Sequence, residues 1–119
     1  MGKQGWGLIM KHNIQDDGQA TIVSFEGDVD LDNSRETRDV LLGCIDLGKP
    51  VLVDLSGVSY IDSSGIASLV ETLQTAKKKE CSLVLVCVSE ACMRVLKLAR
   101  LDKVFSIAPS LDEAKAGLS

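Results

Sequence analysis

Aromatic side chains are scarce, with one Trp, one Tyr and two Phe in 119 residues. Trp6, Tyr60, Phe25 and Phe105 are too scattered to build a surface on which bases could stack. Histidine occurs once, at His12, and the four cysteines contain no C-x-x-C pair, which excludes the usual zinc-ligand spacings. The longest apolar run, Leu83 to Val88, is far too short to cross a bilayer, so direct membrane insertion is not expected. The N-terminus has no extended apolar core with a cleavage site. Met1-Gly2 is followed by Trp6 where a myristoylation signal needs Ser or Thr. Neither a G-x-x-x-x-G-K-[ST] loop nor a G-x-G-x-x-G run is present, and no cofactor is expected.

The chain carries 45% hydrophobic residues and 25% charged ones, with a net charge of −4. A chain of this length hides roughly two thirds of its extended surface on folding, enough for one self-sufficient core. The negative field repels phosphate backbones and anionic lipid, so nucleic acid is a poor partner. The one basic cluster, Lys77-Lys78-Lys79, falls where a helix should end, and cations there complement the carbonyl-rich terminus. Cys44, Cys87 and Cys92 lie in apolar periodic segments, as free thiols do in a reducing compartment, so a cytoplasmic location is expected. Residues 1–7 read as a glycine-rich flexible leader and residues 8–119 as one domain.

Ala20 to Phe25 reads as a strand after an Asp16-Asp17-Gly18 turn, with Leu8 to Asn13 as its hairpin partner. A helix is predicted from Ser34 to Leu47, with Asn33 and Glu36 as a capping box and Val40, Leu41, Cys44, Ile45 and Leu47 at helical spacing. Gly48 and Pro50 end it, and Val51 to Leu55 then reads as a strand covered on both faces. Ile66, Leu69, Val70, Leu73 and Ala76 form the inner stripe of a helix starting near Ser63 or Ser64, with Glu71, Thr72, Gln74 and Thr75 as its wet side. Leu83 to Val88 reads as a second buried strand, joined by a right-handed crossover. Ser89 caps a helix that turns Cys92, Val95, Leu96 and Ala99 inward, Val104 to Ile107 is a short edge strand, and Ser110 with Glu113 opens a last helix. The expected order is β-β-α-β-α-β-α-β-α, an α/β domain whose mixed sheet combines an antiparallel hairpin with parallel strands and is flanked by about four helices.

The segment Ser56 to Gly65 joins a central strand to a helix, the edge at which open α/β sheets bind their ligands. Backbone N–H groups of a first helical turn lack internal partners, so a phosphate on a serine there is tolerated. Taken alone, Asp62-Ser63-Ser64-Gly65 is better read as a simple N-cap by Asp62, Ser63 or Ser64 than as a functional motif, with Gly65 leaving the approach uncrowded. Spacing and composition do not choose between Ser63 and Ser64 as an acceptor. Tyr60 and Ile61 are expected to pack under this loop. Nucleophilic catalysis would need a base near the serine, and His12 lies far off on the hairpin, so the chain is not expected to be an enzyme.

Several segments in order resemble the STAS domains, the family named for sulfate transporters and anti-sigma factor antagonists. Gly27-Asp28-Val29-Asp30 is similar to the ending of that family's second strand. Val53 through Asp62-Ser63-Ser64-Gly65 is similar to its signature, and Arg94 to Leu98 and Leu101 to Phe105 resemble its later helix and last strand. The likeness covers about residues 8 to 118. Ala99-Arg100-Leu101 and Glu80-Cys81-Ser82 depart from it by lacking glycines common at those turns. In bacterial soluble antagonists the resemblance implies that the first serine of the motif, Ser63, is phosphorylated by an anti-sigma factor that is itself a serine kinase. It further implies a metal-dependent serine phosphatase that reverses the step. The expected contact edge comprises Asp30, Asp62, Ser63, Ser64, Gly65 and Ile66. The alternative is a non-phosphorylated interaction subunit of a stress-signalling scaffold or a lipid-transport ABC assembly.

Overall fold

The computed structural model describes residues 11–118, so the leader and the Leu8 start of the first strand lie outside the described residues. Asp16-Asp17-Gly18 reverses the chain as its composition demands. Gly18 sits at φ 88°, its amide donates to Asp16 Oδ1, and Asp17 Oδ1 accepts from the amides of Gln19 and Ala20. This turn joins β1 (Lys11–Asp16) to β2 (Thr21–Val29) in an antiparallel pair. Then follow α1 (Ser34–Ile45), β3 (Val51–Ile61), α2 (Ser63–Lys78), β4 (Leu83–Val86), α3 (Glu90–Leu98), β5 (Ser106–Ala108) and α4 (Leu111–Ala116). The sheet runs β1-β2-β3-β4-β5, and every pair after the first is parallel.

Alternation along the strands divides the core. Val23, Phe25, Val51, Val53, Leu55, Leu83 and Leu85 meet Leu41, Cys44 and Ile45 of α1, Leu69, Leu73 and Ala76 of α2, and Cys92 and Leu96 of α3. The intervening residues Ala20, Ile22, Leu52 and Val86 pack with Ala114 of α4. A strand with apolar residues in both sets reads as a continuous apolar run, which is why Val51 to Leu55 was legible.

Several expected boundaries shift. The third strand does not stop at Leu55 but runs to Ile61, and the second continues past Phe25 to Val29. The ladder steps from Ser24↔Asp54 to Glu26↔Gly57, so Leu55 and Ser56 oppose the single Phe25. That bulge breaks the period of two and hides the continuation of the strand. A Cβ on Gly57 would lie 2.7 Å from Glu26 Cγ and 3.1 Å from the Phe25 carbonyl, so glycine permits the close pass. The first helix ends at Ile45, leaving Leu47 exposed, and the third ends at Leu98, leaving Ala99 exposed. The fourth strand stops at Val86 because Cys87 turns to φ 52°. The fifth begins at Ser106 rather than Val104, which is exposed, while Phe105 remains buried. Thr72 is fully buried rather than on the wet side, its hydroxyl donating to the Ser68 carbonyl at 2.8 Å. No helix among the described residues is long and apolar enough to cross a membrane.

Candidate functional site

The site forms where β2 and β3 end side by side, at the register pair Val29↔Ile61. Parallel strands present their carboxyl ends together, so the segments that leave them must be neighbours. From β2 the chain enters a turn at 30–33, and from β3 it enters α2 through Asp62. The Asp62 amide donates to the Val29 carbonyl at 3.3 Å, which carries the strand pairing one step further.

Asp62 is the N-cap of α2. Its extended backbone (φ −110°, ψ −172°) aims the carboxylate back along the helix axis, and Oδ1 accepts from the amides of Ser64 at 2.9 Å and Gly65 at 3.1 Å. Two of the orphan donors of the first turn are thereby satisfied, an arrangement usually worth about 1 kcal/mol. The other oxygen, Oδ2, accepts from the Leu31 amide at 3.2 Å. One carboxylate thus ties the α2 entry to the loop that follows β2.

That loop is closed from within. The Asn33 amide donates to the Asp30 carbonyl at 3.1 Å, and the Asp30 amide donates to Asn33 Oδ1 at 2.9 Å. Asn33 Nδ2 donates to the Asp28 carbonyl at 2.7 Å, and the Asp32 amide to Asp30 Oδ1 at 3.0 Å. The expected Asn33–Glu36 capping box is therefore not formed: the Asn33 side chain makes no cap bond to α1 because the preceding turn occupies it. At the last helix half of the expected Ser110–Glu113 capping box forms, Ser110 Oγ accepting from the Glu113 amide at 3.2 Å.

The expected contact residues come together but differ in access. Ser63 is exposed, Asp30, Asp62 and Ser64 are half-buried, and Gly65 and Ile66 are buried. Among the described residues the Ser63 hydroxyl makes no hydrogen bond. Ser68 Oγ, one turn on, shares its one proton between the carbonyls of Ser34 (2.9 Å) and Ser64 (3.2 Å) and so pins α2 to the start of α1. Gly65 faces the sheet, not the approach: a Cβ there would lie 2.6 Å from the Val29 carbonyl and 2.7 Å from Ile61 Cγ1. Its role is to seat the first turn of α2 on the strand ends. Ile61 is buried as expected, but Tyr60 is 51% exposed instead of packing under the segment, because a second register shift, from Gly27↔Val58 to Asp28↔Tyr60, breaks the alternation and leaves Tyr60 opposite the buried Ile61 face. His12 is exposed on β1, with its ring 6.3 Å from that of Phe25.

Sequence reasoning missed Leu31, which is 75% exposed at the tip of the closed turn. Its signal was a leucine set between Asp30 and Asp32, outside any helical or strand period. Charge is also segregated: residues 26–34 and 50–76 hold seven of the seventeen Asp and Glu and none of the thirteen Lys and Arg. No His, Cys, Asp and Glu grouping able to hold a metal occurs among the described residues.

Residues 11–114 match the STAS domain family. The anti-sigma-B factor antagonist of Bacillus subtilis (strain 168) is 29% identical over 86 residues, covering 72% of this chain and 79% of that protein. The crystal structure of an anti-sigma factor antagonist from Mycobacterium paratuberculosis superposes with a TM-score of 0.83 at 25% identity, over 92% of this chain and 94% of that one. An anti-sigma-factor antagonist (STAS) domain protein from Planctomyces limnophilus shares the fold, with a TM-score of 0.79 at 24% identity over 90% of this chain and 97% of that one.

Proposed function

The chain belongs to the STAS domain family, and from that premise we propose that it is an anti-sigma factor antagonist, a protein-binding switch rather than an enzyme, set by phosphate on Ser63. In the unmodified form the edge made by Asp30, Asp62, Ser63 and Ser64 docks on an anti-sigma factor with serine kinase activity, in the bacterial cytoplasm, and frees the sigma factor. Gly65 and Ile66 shape that edge from beneath. The kinase moves the γ-phosphoryl group of ATP to Ser63 Oγ: the bond to ADP breaks, the P–O bond to serine forms, and the hydroxyl proton passes to a base of the kinase. A metal-dependent serine phosphatase hydrolyses the ester to restore the binder.

The observation that carries this reading is the exposed, unbonded Ser63 hydroxyl beside a cap made by its neighbour. Ser64 is half-buried, so its hydroxyl is less open to a kinase than that of Ser63. A phosphate adds about −1.5 to −2 charge beside the Asp62 carboxylate, in a region holding no Lys or Arg from 50 to 76. Desolvating that charge in a closed contact costs about 3–5 kcal/mol, which weakens association by roughly 100-fold or more.

The test titrates wild type, Ser63→Ala and Ser63→Asp against each purified anti-sigma kinase encoded by the source genome. Ser63→Ala should bind like wild type, and Ser63→Asp at least tenfold more weakly. Equal binding by the two variants rejects the mechanism. Phosphopeptide mass spectrometry after incubation with ATP identifies the acceptor, Ser63 against Ser64.

A further inference from the structure

Leu31 is out of place for a solvated loop. It is 75% exposed, yet its backbone is tied down: its amide donates to Asp62 Oδ2, and the turn around it is closed by four further bonds from or to Asp28, Asp30, Asp32 and Asn33. A leucine left in water costs solvation, and ordering its loop in advance costs entropy, so the combination is that of a preorganised contact. Single exposed apolar residues are common, but this one sits on a turn latched to a second segment. Here the latch is the same carboxylate that caps the helix bearing Ser63.

We infer that Leu31 is the apolar anchor of the docking surface, inserting into an apolar pocket of the anti-sigma factor that is rimmed by Arg or Lys on the side of Asp30 and Asp32, away from Ser63. The inference rests on the function proposed above and adds a specificity residue to it. The occupant follows from charge: Asp30 and Asp32 flank Leu31, Asp62 binds its amide, and no cation lies within residues 26–34 or 50–76. Arg35, in the first turn of α1, is the nearest cation along the chain. A partner must therefore pair an apolar hole with positive charge on the side of Asp30 and Asp32. An anchor held in its bound geometry raises affinity chiefly by slowing dissociation. Asp62 acts as a positioning residue, keeping Leu31 at a fixed distance from the Ser63 hydroxyl.

The experiment measures binding of the full chain to the purified anti-sigma kinases of the source genome by titration calorimetry and surface-bound kinetics. Variants are Leu31→Ala, Leu31→Asp, Asp62→Asn, Ser63→Asp and, as a remote exposed leucine, Leu98→Ala. Leu31→Ala should weaken binding 10- to 100-fold, mainly through faster dissociation, and Leu31→Asp should abolish it. Leu98→Ala should stay within twofold of wild type, and all Leu31 variants should keep the wild-type melting temperature. Asp62→Asn should speed exchange of the Leu31 amide in the free protein and raise the dissociation rate. If Ser63→Asp weakens binding while Leu31→Ala stays within twofold of wild type, the anchor is refuted and the switch survives. If wild type binds none of the kinases, the proposed function and the anchor fall together.

Discussion

Replacing Gly65 by alanine tests whether the first turn of α2 is as tightly seated as the geometry says. In an exposed helix interior the change would be favourable by about 1 kcal/mol, because alanine restricts the unfolded chain and glycine does not. At this position the new methyl group would sit 2.6 Å from the Val29 carbonyl, 2.7 Å from Ile61 Cγ1 and 2.9 Å from Val29 Cγ1. The closest neighbour is backbone, already bonded to the Asp62 amide, and has no rotamer to which it can retreat. Overpacking of this kind costs about 1–3 kcal/mol, with the upper end expected where backbone must move. The net result is a loss of about 2 kcal/mol. With an unfolding entropy of about 2.1 cal/mol/K per residue over 119 residues, that lowers Tm by about 8 °C. Gly43 in α1 is the control: a Cβ there meets nothing within 4 Å, so Gly43→Ala should gain up to about 1 kcal/mol. Thermal and urea unfolding followed by circular dichroism decide the matter. A Gly65→Ala protein that melts at or above the wild-type temperature refutes the packing argument.

Burial pushes the Cys92 thiol up to about 11 from 9.0, so its neutral form is favoured in the fold. That contribution to stability is whole below pH 9 and is lost as pH rises through about 11. At pH 8, iodoacetamide should leave Cys92 intact in the native protein and modify it only in urea; equal rates in both states would contradict its burial. Asp17 is held at about 2, below 3.8, first by the Lys115 ammonium and then by the amides of Ala20 and Gln19. Its contribution is whole above pH 3.8 and is lost as pH falls toward 2. Carboxyl-carbon NMR should show that midpoint and its rise in Lys115→Met, and a midpoint near 3.8 in wild type would rule out the tie between α4 and the β1–β2 turn.

Element types and order were legible because most elements carry their own period. The stripe Ile66, Leu69, Leu73 and Ala76 and the run Val51 to Val53 survive as buried residues in the elements expected. Boundaries were lost where a local bond overrode the period. The Leu55-Ser56 bulge hid six further residues of β3, and the left-handed Cys87 cut β4 short. Asn33 looked like a helix cap because its type and spacing suit one, but its amide group serves Asp28 and Asp30 instead. The motif Asp62 to Gly65 was visible as a helix start. What could not be read was the division of labour inside it, since choosing the cap among Asp62, Ser63 and Ser64 depends on backbone dihedrals set by the Val29↔Ile61 register. Leu31 was invisible for a related reason: its importance lies in a bond to a residue 31 positions away.

That division of labour bears on how a phosphorylated serine can act without unfolding its carrier. Asp62, not Ser63, satisfies the Ser64 and Gly65 amides, so changing the Ser63 side chain removes no hydrogen bond among the described residues. The first turn of α2 contains no acidic residue of its own. A negative charge at position 63 therefore gains about 0.3–1 kcal/mol from the helix N-terminus, while repulsion from the neighbouring Asp62 at a solvated surface takes back a similar amount. The two nearly cancel, and Ser63→Asp should melt within about 2 °C of wild type. Asp62→Ala strands the Ser64, Gly65 and Leu31 amides at once and should lose about 1–2 kcal/mol, or about 4–8 °C. Unfolding scans of both variants discriminate sharply. Should Ser63→Asp be destabilised as much as Asp62→Ala, the serine is a structural cap, and any loss of partner binding on its modification reflects a damaged helix instead of a switched surface.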